Sequence, residues 1–246
     1  MTNHEEEVVS RINANAANPE LAASAESFMI QSLRAKYSYN FSWLGRPIIQ
    51  YPQDIIAMQE IIWSVKPDLI IETGIAHGGS LLFSAAMLEI NAACGGISNA
   101  EVIGVDIAIR DSNRDAIRAH PLAKRITMIQ GSSIDPTIVD QVRSKVKGRN
   151  QVLVCLDSNH THAHVLNELE VYAPMTSVGS YCVVFDTIIE RLPGETSNNR
   201  PWGAGNNPMT AVKDFLKKHS EFEVDRQIDN KLMISVAPSG YLRRVS

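Results

Sequence analysis

Five short, nearly unbroken apolar runs constrain this chain most: 68–73 (DLIIET), 101–106 (EVIGVD), 125–130 (RITMIQ), 151–157 (QVLVCLD) and 181–186 (YCVVFD). Such runs suit strands buried on both faces. Helix-like stretches lie between them, near 79–93, 111–119, 135–147 and 161–173. Strand–helix alternation through all five predicts a mostly parallel sheet with helices on both faces, an α/β architecture. A further helix is expected near 208–219. Beyond it, 221–238 (EFEVDRQIDNKLMISVAP) reads as two strands turning at Asp229 and Asn230, a hairpin-like pair. The stretch 190–207 is rich in Pro, Gly and Asn and long for a loop, and loops of that length often serve as lids.

Ahead of the sheet, residues 5–35 have helical composition, and 37–52 (YSYNFSWLGRPIIQYP) reads as an ordered aromatic loop with a short strand. A helix over 53–65 is ended by Pro67. The expected division is an extension over 1–66 and a compact α/β unit over 67–246.

Composition removes several classes. With 44% hydrophobic residues and a net charge of −4, disorder throughout is excluded. Cys94, Cys155 and Cys182 form no CxxC pair, which argues for a reducing compartment, here the cytoplasm. No apolar run reaches the roughly 18 residues of a spanning helix. Acids outnumber bases, 27 to 23, so no nucleic-acid partner is expected.

In open α/β sheets ligands bind beyond the carboxyl ends of the strands, so the residues there carry the chemistry. The first predicted strand runs into Glu72-Thr73-Gly74-Ile75-Ala76-His77-Gly78-Gly79-Ser80. Its glycines permit a tight turn, and the helix that follows points free N–H groups into the crevice. Ala76 breaks the dinucleotide pattern GxGxxG. The second strand ends in Asp106, placed either to bind ribose hydroxyls or to cap a helix. The third ends in Gly131-Ser132-Ser133, whose hydroxyls can bind a ligand or cap the next helix.

The fourth strand ends in Asp157, followed by His160, His162 and His164. Zinc is a weak reading, because only His160 and His164 share a helical face and no HExxH glutamate is present. A neutral His160 beside a hydroxyl suits a general base. Asp186 ends the fifth strand, so its carboxylate and that of Asp157 can converge on a hard cation such as Mg²⁺, or stand as two solvated acids.

The segments LGRPIIQYPQD, QEIIWSVKPDLIIETGIAHGGS, LDSNHTHAHVLNELEVYAP and GSYCVVFDT, with the tail EFEVDRQIDNKLMISVAPSGYLRR, resemble the cephalosporin hydroxylase / rhamnosyl O-methyltransferase family of class I methyltransferases. The resemblance spans about 40–244. It implies a Rossmann-like three-layer sandwich with seven strands, the last antiparallel, and often a homo-oligomer. It also implies S-adenosylmethionine as cofactor, and methylation of a hydroxyl on a sugar or secondary metabolite. By that resemblance Glu72, Gly74, Gly78, Ser80 and Asp106 bind the cofactor, and Ala76, Ser132 and Asp157 are further cofactor candidates by their place at the strand ends. Asp157 and His160 are the catalytic candidates, and Asp157 and Asp186 the metal candidates. One departure stands out: the family's Glu-Asp pair is Phe185-Asp186 here, which removes a metal ligand unless Glu190 or a loop residue replaces it. Tyr39, Trp43, Arg46 and Gln50 either cover a ligand or anchor the N-terminal helices. Two rival readings are an NAD-dependent dehydrogenase, disfavoured by the missing glycine pattern, and a non-catalytic or partner-assisting member.

Overall fold

A computed structural model describes residues 2–194 and 200–246. The chain opens with helices α1 (Asn3–Ala16) and α2 (Pro19–Arg34), then a two-stranded ribbon, β1 (Ser42–Trp43) and β2 (Arg46–Pro47), then α3 (Pro52–Val65). Alternation follows: β3 (Leu69–Thr73), α4 (Gly79–Ala93), β4 (Glu101–Asp106), α5 (Asp111–Arg118), β5 (Ile126–Gln130), α6 (Pro136–Val146), β6 (Val152–Leu156), α7 (His162–Tyr172) and β7 (Tyr181–Val184). After a 3-10 turn at Thr187–Arg191 come α8 (Pro208–Leu216), β8 (Phe222–Val224), α9 (Arg226–Leu232) and β9 (Tyr241–Arg244).

The main sheet has seven strands in the order β5-β4-β3-β6-β7-β9-β8. β9 alone runs against its neighbours, pairing antiparallel with both β7 and β8. The fold is the expected Rossmann-like sheet. Every residue of β3 and β6 is buried, which explains why their sequences do not alternate. Two hydrophobic clusters cover the two faces. One joins α3 and α4 with residues from Met29 to Ile62 ahead of the sheet. The other joins α6, α7 and α8 through Val142, Leu169 and Phe215. Each fully buried Leu, Ile or Phe contributes roughly 1.5–3 kcal/mol. No helix among the described residues is long and apolar enough to cross a membrane.

The C-terminal expectation needs correction. β8 and β9 do pair antiparallel, but no turn forms at Asp229 and Asn230. Those residues lie in α9, whose first turn is capped by the Asp225 carboxylate accepting from the N–H groups of Gln227 and Ile228. The apolar run after it stays out of the sheet. Instead Asp54 on α3 binds the run's end, accepting from Ser235 Oγ at 2.6 Å and the Val236 N–H at 3.0 Å. A buried carboxylate thus outcompetes a strand edge for those donors.

Candidate active site

The strand-end residues converge on one crevice at the carboxyl ends of β3, β4, β6 and β7. Gly74 is squeezed between neighbours: its N–H donates to Val105 O at 2.7 Å, and a Cβ would lie 2.0 Å from the backbone oxygen of Asp157. With φ at +90°, only glycine fits without strain. Ala76 also takes a left-handed φ, +45°, a conformation costing roughly 1–2 kcal/mol for an L-residue. Its carbonyl accepts from Asn113 Nδ2 at 2.8 Å, and Asn113 is held by Arg46 at 2.7 Å. Arg46 also donates to His77 O at 2.9 Å. The aromatic loop therefore clamps the glycine loop through Arg46. Trp43 packs edge-on against Phe83, Gln50 is buried against the crevice, and Tyr39 faces solvent.

Glu72 ends β3 and is 5% exposed. Ser80 Oγ donates to it from the first turn of α4. Burial pushes its carboxyl up to about 7, against the opposing pull of that hydrogen bond. Asp106 accepts from the N–H groups of Ile75 at 2.8 Å, Ala76 at 3.3 Å and Ala108 at 2.9 Å. It fastens the glycine loop and does not cap α5, whose cap position is Arg110. Beside it opens a cavity of about 120 Å³, lined by Asp106, Ile107, Ser132, Ser133, Asn159 and His164. A smaller one, about 40 Å³, lies across Gly74 between Gln50, Ser80 and Asp157. A roomier cavity of about 580 Å³, between α2 and the 187–192 turn, contains none of the predicted residues.

On the other side stand Asp157, His160 and Asp186, with one donor atom from each within 4.8 Å of the others. His160 Nε2 lies 3.2 Å from Asp186 Oδ2. Loss of water holds the Asp157 carboxyl well above the usual range, and the charges of Asp186, Glu72 and Glu168 add to the rise. Asp186 sits at φ +56°, a left-handed conformation that Asp tolerates better than most residues. The adjacent Thr187 and Ile188 pin it by bonds to Pro238 O at 2.7 Å and Val236 O at 3.1 Å.

Phe185 turns into the core and is 4% exposed. Glu190 does not replace the absent acid: it accepts from the Gly205 N–H and from Asn207 Nδ2, and so ties down the loop before α8. The third donor beside the two aspartates is His160. Two carboxylates and an imidazole suit a divalent cation, which would relieve the crowding of acids around the buried Asp157.

The three histidines separate. His162 bonds Thr210 Oγ1 at 2.8 Å and joins α7 to α8, while His164 Nε2 meets Ser133 Oγ at 3.1 Å. Trp202 was not foreseen. Its ring stands edge-on to His160, with centroids 4.7 Å apart. The only sequence signal was its place in the long 190–207 stretch, whose residues 195–199 lie outside the described ones.

Comparison with known proteins places the chain in a family. The family described as Rhamnosyl O-methyltransferase/CmcI matches residues 35–245. The rhamnosyl O-methyltransferase of Mycobacterium leprae (strain TN) is 30% identical over 208 residues, covering 82% of each chain. That of Mycobacterium tuberculosis (strain ATCC 25618 / H37Rv) is 28% identical over 196 residues, 78% of this chain and 73% of its own. A CmcI structure with Mg and SAM superposes with a TM-score of 0.58 at 20% identity, over 85% of this chain and 78% of that one. CmcI with SAH gives 0.59, also at 20% identity, over 84% and 83%. With a match from 35 to 245 and a shared fold, the chain belongs to the Rhamnosyl O-methyltransferase/CmcI family of S-adenosylmethionine-dependent O-methyltransferases.

Proposed function

We propose that this enzyme methylates a hydroxyl of a small-molecule or glycan acceptor, a sugar or secondary metabolite, using S-adenosylmethionine. One observation carries the reading. The Glu72–Ser80 loop with Asp106, suited to a cationic amino acid and a ribose, faces Asp157, His160 and Asp186 across a single crevice. Bound S-adenosylmethionine supplies an electrophilic methyl on a sulfonium. Glu72 and Ser80 would hold its ammonium end, Asp106 its ribose, and the cavity at Ser132 its base.

An alcohol is a poor nucleophile at neutral pH, so its proton must be taken or its oxygen polarised. Asp157, His160 and Asp186 would hold the cation. A bound Mg²⁺ polarises a hydroxyl oxygen. With Nε2–H donating to the Asp186 carboxylate, His160 keeps a single lone pair, on Nδ1, so it serves either as the cation's third ligand or, with the cation held by Asp157 and Asp186 alone, as the base that takes the acceptor's proton. Most of the protein's work is alignment of oxygen, methyl and leaving sulfur.

The proposal extends to a cytoplasmic homo-oligomer without a nucleic-acid partner or a membrane span. Support comes from free Cys94, Cys155 and Cys182, the net charge, and the exposed Leu21 and Phe28 on α2.

Calorimetry with S-adenosylhomocysteine tests the cofactor, and Mg²⁺ titration of wild type against Asp186→Asn tests the cation. His160→Ala should bind S-adenosylhomocysteine normally and lose methyl transfer. Near wild-type transfer would overturn the role of His160, and absent nucleoside binding would overturn the function.

A further inference from the structure

Ala76 is the residue of the 74–80 loop whose conformation its own chemistry does not explain. It is left-handed, with φ at +45°, yet it has a Cβ, and it is exposed, so no packed methyl holds it there. We propose that Arg46, acting through Asn113, is a positioning residue that holds Ala76 left-handed, so that the loop keeps its cofactor-binding shape before the cofactor arrives. This rests on the placement of the cofactor proposed above.

Two partners settle which way the Asn113 amide points. A guanidinium only donates and a carbonyl only accepts. The end of the amide 2.7 Å from Arg46 Nη2 is therefore Oδ1, and the end 2.8 Å from Ala76 O is Nδ2. Asn113 is buried, so removing Arg46 strands its oxygen away from water and lets the amide turn over, which releases Ala76 O. The same guanidinium donates from Nε to His77 O at 2.9 Å. One side chain thus grips two successive carbonyls of the loop, one directly and one through Asn113.

Both ends of the clamp are anchored by close packing. On the ribbon side, a Cβ on Gly79 would stand 2.2 Å from Pro47 O, and on the α5 side a Cβ on Gly78 would stand 2.4 Å from Ile117 Cδ1. Asp106 holds the N–H groups of Ile75 and Ala76, which leaves the carbonyl side of Ala76 to Asn113. The consequence for binding is a matter of population. An unclamped Ala would occupy the left-handed form about one time in ten, whereas Gly takes positive φ about as readily as negative. A loop competent for only a fraction of the time binds more weakly by that fraction. Gly74, Ala76 and Ser80 wall the small cavity that faces Asp157, so a displaced Ala76 changes the shape of the site itself.

The test is calorimetry with S-adenosylhomocysteine on wild type, Asn113→Asp and Arg46→Met, with each substitution repeated in the Ala76→Gly background. Asp keeps the shape of Asn113 and an acceptor for Arg46 but turns an oxygen on Ala76 O, while Met keeps the stem of Arg46 and removes its donors. Each should weaken binding about tenfold beside Ala76 and by about threefold or less in the Ala76→Gly background, where the loop no longer needs the clamp. A purely structural role would give equal weakening in both backgrounds, which overturns the proposal, as does binding unaffected by Asn113→Asp or by Arg46→Met. Should Arg46→Met lose its cooperative melting transition, the isosteric Asn113→Asp decides alone. Wild type that does not bind S-adenosylhomocysteine would overturn the proposed function itself, and this inference with it.

Discussion

Glu72→Gln separates the stability of the site from its use. Glu72 is almost fully enclosed and Ser80 is its hydrogen-bond partner. Burial raises its carboxyl from the ordinary 4.5 to about 7. At about 1.4 kcal/mol per tenfold change in proton affinity, holding it ionised costs the folded state about 3 kcal/mol. The sign follows from the raised value. Below pH 4.5 both folded and unfolded chains carry the proton, and the charge costs nothing. Between 4.5 and 7 the unfolded chain loses its proton first, so stability falls as pH rises, and above 7 the whole penalty is present. Gln keeps the shape and an acceptor for Ser80 but has no charge. The variant should therefore be more stable than wild type by about 3 kcal/mol at pH 8 and by less than about 1 kcal/mol at pH 5. Urea unfolding at both pH values measures this. In a domain of this size the pH 8 gain corresponds to roughly 2–4 °C of Tm per kcal/mol. S-adenosylhomocysteine should bind about tenfold more weakly, because its ammonium loses a charged partner. A loss of stability at pH 8, or an equal gain at both pH values, would refute the reasoning.

Gly74→Ala should cost about 2–5 kcal/mol, from left-handed strain plus a Cβ 2.0 Å from the Asp157 carbonyl oxygen, with S-adenosylhomocysteine binding lost; calorimetry and melting curves check both. Asp54→Ala strands the donors of Ser235, Val236 and Tyr241 and should cost about 3 kcal/mol or more in urea unfolding. Trp202→Ala should leave the S-adenosylhomocysteine Kd unchanged while slowing transfer, because the ring stands edge-on to His160. Phe185→Glu places a carboxylate in the core and should destabilise the cation-free protein by several kcal/mol, with Mg²⁺ restoring part of the loss; melting curves with and without Mg²⁺ decide.

The sheet was legible because strands buried on both faces leave little room for polar residues, so 69–73 and 152–156 appear as bare apolar runs. The 221–238 stretch misled because LMISV has strand composition. Its fate was set by Asp54, far away in the chain, whose carboxylate took the donors at 235 and 236. Strand-end acids were legible one by one, since position after a strand fixes which end of the sheet they reach. Relations across elements were not: Arg46 clamping the 76–77 backbone through Asn113, and Glu190 tying Gly205, join residues whose spacing carries no pattern.

The absent family acid shows the same limit from the other side. Position 185 alone suggests a site one ligand short. In three dimensions the β6 end brings His160 within 3.2 Å of Asp186, and a nitrogen stands as third donor with the two aspartates. The consequence is electrostatic. Exchanging a carboxylate for a neutral imidazole removes one negative charge from a crevice where Glu72 and Asp157 already hold raised carboxyls. Such a site should bind a hard cation more weakly than three carboxylates would, while its remaining charge still suits a ligand cationic at both ammonium and sulfonium. Either cation would relieve the same burial penalty, so each should raise the melting temperature by mass action in proportion to its affinity. Their effects should also couple, because the first to bind lowers the negative field that draws in the second.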